Sequence, residues 1–95
     1  MSVVNYKSLL SPLGFSDVEL NEMISFCPKL EIADAKRISM NISILVEFGY
    51  PEADLKELFL VNPKILVYNN KTLYKKLIDL GKNVENILKS NPNIL

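Results

Sequence analysis

The chain has 95 residues, a length that suits one domain burying a modest core without disulfides or metal. Eleven basic residues balance eleven acidic ones, so the net charge gives no general attraction to nucleic acid or anionic lipid. Histidine is absent and Cys27 is the single cysteine, which removes the commonest general base and excludes an internal disulfide. With no nucleophile beside a base and no metal-ligand cluster, we expect a protein that is not an enzyme and has no cofactor.

The same features set the expected compartment. A single cysteine is typical of a reducing environment, so we expect an intracellular protein, cytoplasmic by default, with Cys27 as a buried and inert thiol. No run approaches the roughly 18 apolar residues of a membrane span, and we expect no membrane partner. Residues 1–10 lack the pattern of a signal or transit peptide, and an organelle is the alternative if such a peptide has been removed.

In chain order, residues 5–13 predict a short helix that becomes irregular at Pro12 and ends at Gly14. The next helix, from Ser16 to Cys27, has the strongest signal, because Ser16 and Glu19 are spaced as a capping box. Acidic residues in its first turn favour the helix dipole. We interpret them as a solvated face rather than as acid–base machinery.

A central helix is predicted from Asp34, its cap, to Phe48. Its core stripe recurs at helical spacing and consists of Ile38, Ile42, Leu45 and Phe48. Three further apolar residues widen this surface: Met40, Ile44 and Val46. The width predicts a helix that is buried on more than one side.

The second half repeats these signals. Pro51 suits the first turn of a helix that stops at Asn62, before Pro63. After a turn over residues 64–66, Asn69 or Asn70 caps a helix with Leu73, Leu77 and Leu80 on its core face. A last helix begins near Asn83. No stretch alternates convincingly at period two, so the chain is predicted to be all-helical.

Three proline-centred segments share one pattern at offsets of 35 and 29 residues. The matching residues are Leu20, Met23, Ile24, Cys27, Pro28, Lys29 and Leu30; then Leu55, Leu58, Phe59, Asn62, Pro63, Lys64 and Ile65; then Val84, Ile87, Leu88, Asn91, Pro92, Asn93 and Ile94. Each copy follows a residue pair that ends in glycine: Leu13-Gly14, Phe48-Gly49 and Leu80-Gly81. Such self-similarity predicts a repeat protein. Residues 1–95 then form one domain, divided into a partial unit 1–14, repeats 15–49 and 50–81, and a partial unit 82–95.

These motifs resemble those of the mitochondrial transcription termination factor (mTERF) family, in which a leucine-glycine helix end, a short helix and a proline-leucine turn recur. The resemblance implies an all-α fold, a short α-solenoid of helix-helix-short-helix repeats, which we expect as a right-handed stack. It also implies nucleic-acid binding in a basic concave groove and a role in organellar transcription or translation. Gly14-Phe15 and Gly49-Tyr50 resemble a loop of ubiquitin-associated domains less closely, because that pattern lacks the prolines in register.

The neutral total conceals an asymmetry of charge. Residues 1–61 carry five basic and nine acidic residues, whereas residues 62–95 carry six lysines and two acidic residues. Lys29 is equivalent to Lys64, and Lys36 to Lys71, so equivalent cations could follow phosphates along a solenoid. The candidate nucleic-acid-binding residues are Lys29, Lys36, Arg37, Lys64, Lys71, Lys75, Lys76 and Lys82. The expected partner is DNA or RNA without sequence specificity, because there is one arginine and no evident aromatic platform beyond Tyr68 and Tyr74.

Two alternatives stay open. The lysines could simply be solvated surface residues whose stems cover apolar area. A helical array without polar capping units could instead bind a protein partner or itself, through the concave helical face or its open ends.

Overall fold

The computed structural model describes residues 6–95, and every regular element in that range is helical. The α-helices are α1 (Tyr6–Leu10), α2 (Asp17–Phe26), α3 (Lys29–Ile32), α4 (Ala35–Glu47), α5 (Leu55–Val61), α6 (Asn70–Leu80) and α7 (Val84–Ser90). Short 3₁₀ turns occupy Ser11–Leu13, Glu52–Asp54, Pro63–Val67 and Pro92–Ile94. The all-helical prediction is confirmed. Asn5, where the first helix was predicted to begin, lies outside the described residues.

Three helices end in the same backbone conformation. Cys27, Asn62 and Asn91 close α2, α5 and α7 with φ of −138, −136 and −145° and ψ of 80, 75 and 80°. Each is followed by proline, which excludes its predecessor from the α region and so stops the helix. Each also donates its N–H to the carbonyl four residues earlier. The three proline-centred segments therefore share one helix-to-turn geometry.

Glycine ends the preceding element in each case. Gly14, Gly49 and Gly81 have φ of +99, +95 and +83°, values that side chains with a Cβ rarely adopt. The predicted order of helix, glycine, helix, proline and turn is therefore present in the backbone. The assignment of unit boundaries at residues 15, 50 and 82, and the right-handedness of the stack, stay predictions.

The capping box at the start of α2 is confirmed. Ser16 Oγ accepts the Glu19 N–H at 3.2 Å, and Glu19 Oε1 accepts the Ser16 N–H at 3.0 Å. Lys56 of α5 places its Nζ 3.1 Å from the same carboxylate. The backbone hydrogen bond from Ser16, followed by the one from Lys56, lowers the pKa of the Glu19 carboxyl. This carboxylate therefore caps α2 and also links it to α5.

We expect Glu19→Gln to lower the free energy of unfolding at neutral pH. We also expect the stability of this variant to depend less on pH in the acidic range. A lowered folded pKa stabilises the protein above the unfolded pKa, and that contribution disappears as pH falls through the folded pKa. Urea midpoints of the two proteins should therefore differ at about pH 7 and differ less at about pH 3. Glu22→Gln is the control, because Glu22 lies on the same helix and its side chain forms no hydrogen bond or ion pair within residues 6–95. Equal differences at both pH values would contradict the assignment.

The core is one continuous cluster with α4 at its centre, where it contacts α1, α6 and the Pro63–Val67 turn. Helix α2 packs on α5, and α6 packs on α7. The buried apolar residues are Tyr6, Leu10, Phe15, Leu20, Met23, Cys27, Leu30, Ile38, Leu45, Tyr50, Leu55, Leu58, Phe59, Ile65, Leu66, Leu73, Leu77, Val84 and Leu88. The molecule extends 40 × 23 × 21 Å, as expected when helices stack in one direction. None of the helices within residues 6–95 is long and apolar enough to traverse a bilayer.

The prediction that α4 is buried on more than one side was wrong. Met40 is 54% and Val46 is 42% exposed, and Ile42 is only half-buried. Asn41 is instead fully buried on the core face. Helix α4 packs along one stripe, and the opposite face meets solvent because no described element covers it.

The helix predicted to begin at Pro51 also needs a correction. Pro51 has an extended backbone with ψ of 133°, so it precedes the helix rather than lying in its first turn. Asp54 donates its N–H to the Pro51 carbonyl, which closes a 3₁₀ turn over Glu52–Asp54 before α5 begins at Leu55.

The last proline-centred segment differs in burial, since Ile87 is half-buried and Ile94 is 45% exposed. No later helix covers them within residues 6–95.

Candidate nucleic-acid interface

Four of the predicted cations border a connected series of surface depressions. Lys29 and Lys64 line a depression of about 410 Å³, Lys29 and Arg37 line the next, and Arg37 and Lys71 line a third. The two repeat-equivalent lysines, 35 residues apart in the chain, thus meet at one depression. We call this surface the cationic groove and define it by Lys29, Arg37, Lys64 and Lys71.

Each of these side chains comes from the start of a different element. Lys29 begins α3, Arg37 lies in the first turn of α4, Lys64 follows Pro63 in its turn, and Lys71 lies in the first turn of α6. The starts of helices carry the positive end of the backbone dipole, which adds to the charge of the Arg37 and Lys71 side chains. The fold therefore gathers helix starts and cations on one surface.

The buried Asn41 side chain holds these elements together. Its Nδ2 shares two hydrogens among the carbonyl oxygens of Ile65, Leu66 and Tyr68, at 3.1, 3.2 and 2.8 Å. Its Oδ1 accepts a hydrogen bond from Asn70 Nδ2 at 2.7 Å. Helix α4, which carries Arg37, is thereby tied to the turn that carries Lys64.

Asn70 extends the same network to α6. Besides its bond to Asn41, its Nδ2 donates to the Arg37 carbonyl oxygen at 3.1 Å. The preceding residue, Asn69, caps α6 by accepting the N–H groups of Lys71 and Thr72. The positions of Arg37 and Lys71 are therefore set by backbone and amide hydrogen bonds rather than by their own flexible stems.

In the part of the chain that the structure describes, the groove cations have no carboxylate partner. Within residues 6–95, none of the eight predicted cations forms an ion pair, whereas Lys56 pairs with Glu19 and Lys89 pairs with Glu85 and Asp54. The hydrogen bonds to Glu85 and Asp54 raise the pKa of the Lys89 ammonium. Among the described residues, Asp34 is the one carboxylate lining these depressions, and its Oδ1 already accepts the Lys36 N–H at 2.8 Å. The groove therefore keeps a positive excess in a protein of zero formal charge.

Comparison with known proteins decides the family. The model of the mTERF family matches residues 2–95, which is nearly the whole chain. This chain belongs to the mTERF family. Its members are helical-repeat, nucleic-acid-binding proteins without catalytic activity. Family membership therefore confirms two predictions: that the fold is a helical solenoid and that the protein is not an enzyme. Neither the curated proteins nor the solved structures included a significant match.

Family membership also bears on the expected compartment. Proteins of the mTERF family are typically organellar, whereas the sequence alone favoured the cytoplasm by default. The compartment of this chain stays a prediction. In the described part of this mTERF protein, no group of three or more His, Cys, Asp or Glu side chains is placed to hold a metal ion.

The other four predicted cations are dispersed over the mTERF fold. Lys36, Lys75 and Lys82 are exposed but line none of the three depressions. Lys76 borders the groove indirectly, because its Nζ lies 6.0 Å from the centre of the Tyr68 ring. Tyr68 itself lines the largest of the three depressions. The predicted set thus divides into four groove residues, one neighbour and three separate surface lysines.

Sequence reasoning missed an aromatic residue at this surface. Phe26 ends α2, is 77% exposed and lines the same depression as Lys29 and Lys64. Of the two tyrosines considered from the sequence, Tyr74 instead packs against Phe48, with ring centres 5.4 Å apart and planes at 69°. The available signal was that Phe26 lies off the apolar stripe of α2, where a large ring has no core to enter.

Proposed function

We propose that this mTERF protein binds the phosphate backbone of nucleic acid along the cationic groove, without reading sequence. What supports the proposal is one observation: Lys29, Arg37, Lys64 and Lys71 border connected depressions and have no carboxylate partner within residues 6–95. Cations without partners are the groups that release counterions when they contact phosphates. One arginine in the groove is too few for an extended base readout, which depends on bidentate side chains.

The expected interaction is moderate and depends on salt. Four phosphate contacts correspond to a slope of log K against log salt of about −3 for single strands and about −3.6 for duplex DNA. The same relation gives each contact roughly a tenfold effect on affinity at about 50 mM salt. The overall neutrality of the chain means that residues outside the groove add little attraction.

The test compares two double variants that remove equal charge. Lys29→Ala with Lys64→Ala should weaken binding by roughly a hundredfold at about 50 mM salt and make the salt slope shallower by about 1.4 for a single strand. Lys75→Ala with Lys82→Ala should change affinity by less than about threefold, because screening limits the reach of distant charges. Fluorescence anisotropy with labelled oligonucleotides measures both.

Three results would overturn the proposal. They are equal losses in the two double variants, an affinity that does not change with salt, and no binding by the unchanged protein at tens of micromolar concentration. Sedimentation of the same samples without nucleic acid tests the alternative of self-association. A single monomeric species at all concentrations removes that alternative.

A further inference from the structure

Phe26 is not part of the hydrophobic core, so core packing does not explain an aromatic ring at this position. It is 77% exposed and lines two adjoining depressions, one with Lys29 and Tyr68, the other with Val61 and Asn93. Of the residues that the structure describes, Lys64 is the one other that lines both. A flat aromatic surface therefore stands between the two depressions, beside two cations that have no carboxylate partner in the described chain.

The equivalent residues in the other two proline-centred segments show whether this position requires an aromatic side chain. Val61 and Ser90 hold the same place, as the last residue before the junction, and both are exposed. The position thus faces solvent in all three copies, and the first copy alone carries a ring there. The aromatic character of Phe26 is therefore not required by the repeat geometry.

We propose that Phe26 is a stacking platform for one unpaired base, so that the cationic groove prefers single-stranded nucleic acid to duplex. Stacking needs the free face of a base, and in a duplex both faces are covered by neighbouring base pairs. Lys29 and Lys64 contact the phosphates on either side of the stacked base, so that each positive ammonium group faces a negative phosphate. This inference rests on the proposed function and adds the class of nucleic acid that the groove takes.

Phe26→Trp is the most direct test, because the chain contains no tryptophan and the new indole reports on a single position. We expect its fluorescence to be quenched by a thymidine oligonucleotide and unaffected by an abasic strand of the same length. The abasic strand keeps every phosphate and lacks every base face. The variant should bind the thymidine oligonucleotide at least as tightly as the unchanged protein, since indole stacks well.

Removing the ring should weaken single-strand binding selectively. We expect Phe26→Ala and Phe26→Leu each to lose about tenfold in affinity for the thymidine oligonucleotide and almost none for duplex or abasic strand. The leucine variant keeps apolar bulk without a π face, so it separates stacking from simple apolar contact. Val18→Ala, which alters a 68% exposed residue outside these depressions, is the matched control and should bind normally.

The results separate this inference from the proposed function. If Phe26→Ala binds single strands as tightly as the unchanged protein while Lys29→Ala with Lys64→Ala does not, stacking is refuted and phosphate binding stands. A normal affinity of Phe26→Leu, or equal losses for duplex and single strand, also refutes stacking. If the unchanged protein binds none of the three probes, the proposed function fails and the inference fails with it.

Discussion

Replacing Asn41 with Asp should lower the free energy of unfolding by at least about 3 kcal/mol near neutral pH. The Asn41 amide is fully buried and donates to three carbonyl oxygens of the Pro63–Val67 turn and its exit, those of Ile65, Leu66 and Tyr68. A carboxylate in its place has no hydrogen to donate and turns negative charge toward those oxygens. The cost combines a buried charge with carbonyls that lose their donor.

The same substitution should make stability depend on pH in a predictable direction. Burial disfavours the charged form and raises the pKa of the new carboxyl above its unfolded value of about 3.9. A raised folded pKa means that the folded state binds the proton more tightly, so the variant is least impaired below about pH 4 and loses stability as pH rises. Urea unfolding at about pH 4 and about pH 7 measures the change.

Two further variants make the Asn41 result interpretable. Asn41→Leu removes the donor without adding charge, so its loss of about 2 kcal/mol should not vary with the ionisation of residue 41. Asn21→Asp places the same new carboxyl on an exposed position of α2 and should stay within about 0.5 kcal/mol of the unchanged protein. An Asn41→Asp protein with the same deficit at both pH values would contradict the buried amide network.

Phe59→Ala should have a comparable or larger effect on stability, about 3–5 kcal/mol. Phe59 is 0% exposed and is the largest of the fully buried side chains. Truncating it removes apolar contacts and leaves a cavity that the neighbouring core residues fill only in part. For a domain of this size, the melting temperature should fall by more than about 12 °C.

Phe26→Ala is the matched control for this prediction, since the chemical change is identical and only the burial differs. With 77% of Phe26 exposed, the variant should unfold within about 0.5 kcal/mol of the unchanged protein. Thermal unfolding followed by circular dichroism compares the two. Similar losses in both variants, or a stable Phe59→Ala protein, would contradict the assignment of the core.

Apart from the helix start predicted at Pro51, the sequence alone identified the main residues at which helices begin and end. The exchange of hydrogen bonds between Ser16 and Glu19 spans three residues, and proline acts on the residue next to it. Such signals need no knowledge of the rest of the molecule. The burial of α4 was judged less well, because apolar side chains at Met40 and Val46 indicate burial only when another element lies against them.

At the candidate site, too, the residue types were predictable from the sequence, but their arrangement in space was not. From the sequence, eight basic residues were candidates, and the structure brings Lys29, Arg37, Lys64 and Lys71 to one groove. Lys75 and Lys82 are also exposed cations, but the fold places them outside this groove. Nothing local distinguishes these groups, since their difference lies in which elements pack beside them.

The sequence by itself determined that this protein is a chain of short helices, ended in turn by glycine and proline, and that it resembles the mTERF family. Those properties depend on steric and hydrogen-bonding rules within about four residues. The tertiary structure alone decided that Asn41 is buried, that Phe26 is exposed and that four cations converge. These outcomes depend on contacts such as Asn41 to Tyr68 and Asn70 to Arg37, which join residues 27 and 33 positions apart. Tertiary packing determines such contacts, so they cannot be predicted from the local sequence.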